Sequence, residues 1–272
     1  MQPIGTEPYS VQLHCDRCGY TEAFQRLLTT CPQCGGVPMP RYDLAALRTQ
    51  NWPARIATRD RNLWRYHELL PVRHPEALRP MGEGWTPLFR AERLGKILGL
   101  QNLYIKDERQ NPTGSFKDRQ AAVAIATLVE QGIKSLVLAS TGNVAIAYSA
   151  FAARMGVELW AFFPRLVPEE KIREAAVYGT HIVRVDGTYD EAKATAADFA
   201  ERQGIFLDKG VKTFAGVESM KTLAFEVAEQ LGWQAPDWYI QGVSGGMGPV
   251  GVAKGFAELQ ALGLVAKVPA LG

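Results

Sequence analysis

Past residue 85, short apolar runs alternate with longer amphipathic ones. Runs of buried-strand length stand at 136–139, 159–163 and 181–185. Further strand candidates fall at 103–105, 205–207 and 238–243. Between them the helical spacing predicts helices over 119–131, 143–155, 190–202, 218–231 and 250–262, and one from Pro168, with proline in its favoured first turn. Strands alternating with helices predict parallel β-α-β units with helices on both faces of the sheets. In such sheets, ligands sit at the carboxyl ends of strands, in the loops leading to helices. The pattern carries no internal repeat and no low-complexity stretch.

Ahead of residue 85 the pattern is irregular. Residues 44–50 read as helical. Residues 51–80 mix charges with Trp52, Trp64 and four prolines. They read as an arm laid over a globular body, with both tryptophans as packing anchors. The 272-residue length suggests two folding units with a small appendage. Hydrophobic residues at 47% and charged residues at 21% are the proportions of a chain that buries a core. Thirty basic against 28 acidic residues argue against a nucleic-acid binder that relies on bulk charge. No run reaches the roughly 18 apolar residues of a membrane span, and residues 1–10 lack the pattern of a secretory signal. The expectation is a cytoplasmic protein with neither membrane nor nucleic acid as partner.

All four cysteines lie within 15–34, as Cys15-x-x-Cys18 and Cys31-x-x-Cys34. Paired knuckles of this spacing place four thiolates around one tetrahedral centre, as a structural zinc site requires. Disulfides and four unrelated thiols are the alternatives. Four cysteines leave no ligand position for water, so the zinc reading is structural, and His14 is a bystander.

Three loops carry the candidate chemistry. Residues 111–119 read N-P-T-G-S-F-K-D-R, with Lys117 at a helix start. The positive end of a helix dipole lowers the pKa of a nearby ammonium. Such a lysine can be neutral often enough to attack an aldehyde. Taken alone, a single lysine is far more commonly an ordinary exposed one. Ser140-Thr141-Gly142-Asn143 follows a strand and offers hydroxyls and N–H groups to a carboxylate, or simply caps the helix. Ser244-Gly245-Gly246-Met247-Gly248 could turn several N–H groups on one phosphate, or be a plain turn.

Together these loops resemble the second fold type of pyridoxal-phosphate enzymes. The segment 82–88, G-E-G-W-T-P-L, and a cysteine ribbon ending in R-Y-D-L resemble the threonine synthase-like family within it. The resemblance implies two parallel-sheet α/β lobes, similar to the tryptophan synthase β fold, behind a small zinc ribbon. By it, residues 1–42 are the ribbon and 43–84 a connecting arm. Residues 85–112 and 205–272 form a large cofactor-binding lobe, cut short at the C terminus, and 113–204 a small movable lobe. Lys117 would hold pyridoxal phosphate as an imine and later move protons. Asn143 would bind the ring hydroxyl, Ser140, Thr141 and Gly142 the substrate carboxylate, and residues 244–248 the cofactor phosphate.

The implied reaction is that of threonine synthase, in amino-acid biosynthesis: phosphate leaves O-phosphohomoserine and water adds. Cysteate synthase, a serine/threonine ammonia-lyase or a non-catalytic truncated relative are the alternatives. A homodimer is compatible. Three departures stand out. The phosphate loop reads S-G-G-M-G where the family carries G-N-G-G-N. Gly210, Val211 and Gly216 stand where threonine synthases place side chains on the substrate phosphate, with Lys209 and Lys212 nearby. Relatives run on past Gly272, into a part that closes the large sheet and supplies a hydroxyl to the pyridine nitrogen.

Overall fold

The computed structural model describes residues 12–24, 28–74, 77–210 and 213–272. Strands β1 (Gln12–His14), β2 (Thr21–Ala23) and β3 (Met39–Arg41) form an antiparallel sheet in the order β2-β1-β3. Leu13 turns inward from its centre and is buried with Phe24 in the main apolar cluster. Helix α1 (Leu44–Arg48) starts where the Asp43 carboxylate accepts the Ala46 N–H at 2.8 Å. Helix α2 (Trp52–Ala57) and a 3-10 stretch at Leu63–Leu69 follow.

This arm does more than lie on the body. Leu63, Trp64, Leu70 and Val72 enter one apolar cluster; Leu47, Trp52, Ile56, Tyr66 and Leu69 enter another. Both tryptophans are anchors, as expected, and their indole N–H groups are satisfied in the interior. Trp52 donates to Glu68 at 3.1 Å and Trp64 to Glu83 at 2.5 Å.

Strands β4 (Leu88–Arg90) and β5 (Tyr104–Lys106) pair antiparallel around helix α3 (Glu92–Leu98). The alternation predicted parallel pairing here. Helix α3 does not cross over the pair: Ile97 and Leu98 are exposed, and the chain folds back through Gly99 with Leu100 N–H on Gly95 O at 2.8 Å. Without a crossover packed on the sheet, the returning strand runs antiparallel.

The parallel pattern then holds. Helix α4 (Lys117–Glu130) leads to β6 (Ser135–Ala139), α5 (Asn143–Met155), β7 (Glu158–Pro164), α6 (Glu169–Val177), β8 (His181–Val185), α7 (Tyr189–Gln203) and β9 (Phe206–Leu207). The four strands form one parallel sheet, in the order β8-β7-β6-β9. Pro168 caps α6 instead of standing in its first turn.

Helix α8 (Phe214–Gln230) starts four residues before the predicted position and α9 (Met247–Ala261) three before. Glycines near both starts conceal them in the sequence. Strand β10 (Trp238–Tyr239) is shorter than predicted and pairs parallel with β11 (Ala270–Leu271). Helices α8 and α9 run side by side in one direction: Gly251 lies against Val217 and Met220, and Gly255 against Lys221 and Ala224. A Cβ on Gly255 would come within 2.8 Å of Lys221 O, so only glycine permits this approach. No helix among the described residues is long and apolar enough to cross a membrane.

Candidate functional site

The segment 111–119 folds into a tight lead-in to α4. The Asp118 carboxylate accepts the Thr113 N–H at 2.7 Å and the Thr113 hydroxyl, and Ser115 Oγ accepts the Lys117 N–H at 3.3 Å. Lys117 thereby begins α4 with only 8% of its surface exposed. Its Nζ lies 4.3 Å from the Phe116 ring centroid. Among the described residues it has no hydrogen-bond or ion-pair partner. Burial pulls its pKa below the ordinary value of 10.5. The sequence argument assigned that direction to the helix dipole; loss of water is the cause resolved here.

Two residues later the treatment reverses. Arg119 is fully buried, with Nε 2.7 Å from Glu108 Oε2, Nη2 2.8 Å from Glu226 Oε2 and Nη1 2.9 Å from Thr222 Oγ1. Lys106 Nζ adds contacts to Glu226 at 2.7 Å and to Thr86 O at 2.6 Å. Burial pushes the Glu226 carboxyl up, but Arg119 and Lys106 outweigh it and hold it at about 2. The network also ties in the 82–88 segment. Thr86 Oγ1 donates to Glu108 at 2.6 Å, and Gly84 N–H donates to Asn111 Oδ1 at 3.0 Å. Two cations and two carboxylates thus cross-brace β5, α4 and α8 beneath Lys117. Sequence reasoning missed Glu108, Lys106 and Glu226; the one available signal was Glu226 inside the apolar face of α8.

At the second loop, Ser140 Oγ accepts the N–H groups of Gly142 and Ala145, both at 3.1 Å, and Ser140 N–H is spent on Phe162 O at 3.0 Å. Ser140 thus serves the helix start through its side chain, as the capping reading expects. Thr141 and Asn143 are exposed, and Asn143 Oδ1 accepts from Lys171 Nζ at 2.7 Å. Gln120, in the first turn of α4, donates to Tyr148, near the middle of α5, at 3.5 Å, so the helices that carry Lys117 and Asn143 pack against each other.

The third loop precedes α9, with Gly246 as the cap at φ 84°. Ser244 and Gly245 are exposed, while Met247 is buried against Gly216. Phe116 packs on the apolar cluster that contains Met247. The lead-in to Lys117 and the glycine loop thus share one support. Gln241, just upstream of the loop, keeps a buried Oε1 with no partner. Of the expected substrate-phosphate positions, Gly216 is closed: a Cβ there would overlap Met247 Sδ. Gly210 N–H donates to Asp208 Oδ1 at 2.6 Å, and Lys209 is exposed. Val211 and Lys212 lie outside the described residues.

Far from these loops in sequence, the four cysteines converge as free thiols. Cys15 and Cys34 Sγ are 3.5 Å apart, Cys18 and Cys31 Sγ 3.6 Å, and all four fall within 4.8 Å of one another. A tetrahedral centre with metal–sulfur bonds of about 2.3 Å has sulfurs about 3.8 Å apart. The cluster therefore has the size of a four-thiolate metal site.

A buried amine without a partner among the described residues, and a glycine-rich helix start supported by the same apolar cluster as its lead-in, fit a phosphorylated aldehyde. The comparisons agree. The family described as "Pyridoxal-phosphate dependent enzyme" matches residues 80–270. Threonine synthase of Methanocaldococcus jannaschii is 34% identical over 256 residues, 94% of this chain and 63% of its own length. That of Methanosarcina acetivorans is 31% identical over 94% of this chain and 62% of its own length. The chain thus spans somewhat under two thirds of the length of these relatives. Among solved structures, threonine deaminase isoform 2 from Solanum lycopersicum is similar at a TM-score of 0.58 and 28% identity, over 64% of this chain and 50% of that one. Maize serine racemase is similar at 0.58 and 28%, over 62% of this chain and 51% of that one. By sequence, fold and the loops that flank Lys117, the chain belongs to the pyridoxal-phosphate dependent enzyme family.

Proposed function

We propose that this chain carries pyridoxal phosphate on Lys117 and acts as a carbon–oxygen lyase of the threonine synthase type. The observation that carries the reading is Lys117 Nζ, buried, unpaired and with its proton loosened. Bound pyridoxal phosphate supplies the electron sink for a carbanion on an amino-acid substrate. The chain's own groups do the rest. Lys117 Nζ would hold the cofactor and would move protons at the substrate carbons. The Asn143 amide would hydrogen-bond the ring hydroxyl, and the backbone N–H groups of 244–248 would hold the phosphate. Thr141, Gly142 and the start of α5, capped by Ser140, receive the substrate carboxylate. Cys15, Cys18, Cys31 and Cys34 hold a structural zinc. Residues 113–204 form the small lobe, the flanking segments the large one, and the site lies between them.

The threonine synthase relatives favour O-phosphohomoserine as substrate. One observation favours a second reading, an unphosphorylated hydroxy-amino acid: Gly216 cannot carry a phosphate donor while Met247 fills its space. Each charge-assisted hydrogen bond to a phosphate is worth roughly 1.5–3 kcal/mol, so losing two costs on the order of a thousandfold in affinity. The deciding experiment has two stages. Borohydride reduction of the loaded protein and peptide mass analysis should find the cofactor on Lys117; a label elsewhere sinks the proposal. Competition between O-phosphohomoserine, threonine and serine on the longest form of the protein then separates the readings. A preference above about a thousandfold for the phosphate ester establishes the threonine synthase reaction.

A further inference from the structure

We propose that Lys171 is a positioning residue for the cofactor, acting through Asn143. The proposal rests on the reading of Lys117 and Asn143 given above. Lys171 lies in the first turn of α6, on a different β-α unit from Asn143. Its Nζ donates to Asn143 Oδ1 at 2.7 Å. Its stem lies over the loop below: a Cβ on Gly142 would sit 3.7 Å from Lys171 Cδ. Among the described residues, no carboxylate comes within ion-pair distance of Nζ.

An ammonium only donates, so it can face only the oxygen of the amide. With Oδ1 taken, Asn143 is left one orientation, in which Nδ2 and its two N–H groups turn away from Lys171. Asn143 would otherwise be an exposed amide free to flip at a helix start. Lys171 therefore makes Asn143 a fixed donor, suited to the ionised ring oxygen of the cofactor and wrong for a protonated one. That orientation favours the ionised ring oxygen.

The test uses holoprotein and four chains: wild type, Lys171→Met, Asn143→Ala and the double variant. Methionine keeps the apolar stem over Gly142 and removes the amine. The readouts are the dissociation constant for pyridoxal phosphate and, at one fixed pH, the fraction of bound cofactor in its long-wavelength band, the band of the ionised ring oxygen. Lys171→Met should weaken cofactor binding about threefold to tenfold, as for the loss of one hydrogen bond, and shrink that band. In the Asn143→Ala background it should add nothing, because its route is gone. Lys171→Arg should restore most of the band. The assignment is overturned if Lys171→Met matches wild type in both readouts, or if the two single effects simply add. Failure of wild type to trap the cofactor on Lys117 would instead overturn the underlying reading, and this inference with it.

Discussion

Lys117 and Lys221 are both buried, and their surroundings differ. Lys221, in the middle of α8, is wholly buried, with Nζ 2.7 Å from Glu218 Oε2 and 2.9 Å from Glu258 Oε2. Lys254 reaches the same Glu218 and also donates to Pro40 O at 2.8 Å. The Tyr42 hydroxyl donates to Glu218 at 2.6 Å, and its ring lies under Lys221 Nζ. Two cations and two carboxylates there clamp α8, α9 and the exit of the N-terminal sheet. Lys117 has only the Phe116 ring beside it. Burial pulls both amines down, but carboxylates oppose it at Lys221 and nothing does at Lys117. A buried ammonium held by two carboxylates is a structural charge. One without a partner is easily deprotonated, and a neutral amine is a nucleophile.

Exchanging the two residues for inert ones separates these roles most sharply. Lys117→Ala should abolish covalent cofactor completely, by absorbance and by borohydride trapping. It leaves no charge unpaired, so stability should change by no more than about 1 kcal/mol. Lys221→Met should do the reverse. It strands Glu218 and Glu258 with only Lys254, and breaking a buried pair costs about 3–5 kcal/mol. Denaturant titration measures that loss, and the fraction still folded should trap cofactor on Lys117 as before. If Lys221→Met lost less than about 1 kcal/mol, or Lys117→Ala several, the distinction between the two sites would collapse.

Zinc removal should act more on the side of Lys221 than on Lys117. The N-terminal sheet is hydrogen-bonded to the clamp through Pro40 and Tyr42, whereas toward α4 Leu13 and Phe24 make only apolar packing, and among the described residues the sheet has no hydrogen bond or ion pair to Lys117. Chelation should speed hydrogen exchange over residues 12–41 and lower the melting temperature modestly. The rate at which Lys117 captures pyridoxal phosphate should not change. A slowed capture would mean that the thiol cluster reaches the cofactor site after all.

The contrast between the lysines was only half legible in the sequence. Lys117 stands out because it is embedded in a run of turn formers at a helix start, a local signal. Lys221 lies mid-helix with no local signal, and its partners Glu258 and Tyr42 are distant in sequence, so its clamp could not be read there. The same division runs through the fold. Residues 143–155 could be bounded correctly from periodicity, since Gly142 and Gly156 mark both ends. The starts of α8 and α9 could not, because Gly216 and Gly248 read as breakers locally, while in the fold Met247 packs on Gly216 and the Gln241 side chain on Gly248. The antiparallel β4–β5 pair depends on how α3 lies, which no local pattern encodes. Ser140 was legible as cap or ligand, and its two hydrogen bonds to N–H groups of the helix start show the capping role.

The smallest expected effect is a dependence on pH. Burial lowers the Lys117 pKa from its ordinary 10.5, so at any pH below that a larger fraction is neutral than in a free lysine. Capture of pyridoxal phosphate should quicken about tenfold per pH unit and level off before pH 10.5, where free lysine is still rising. Stability of the cofactor-free protein follows the same shift. Between the folded and unfolded pKa values the unfolded chain holds more protons at this site, so stability rises with pH across that window. Below the folded value the full cost of burying the ammonium is present; above 10.5 it is gone. Lys117→Met, which carries no charge, should therefore melt higher than wild type at neutral pH, with the gap closing as pH rises. Lys221→Met should melt lower throughout. Parallel melting curves for the two variants would show that Lys117 is a paired, structural lysine like Lys221, and the chemistry assigned to it would have to move elsewhere.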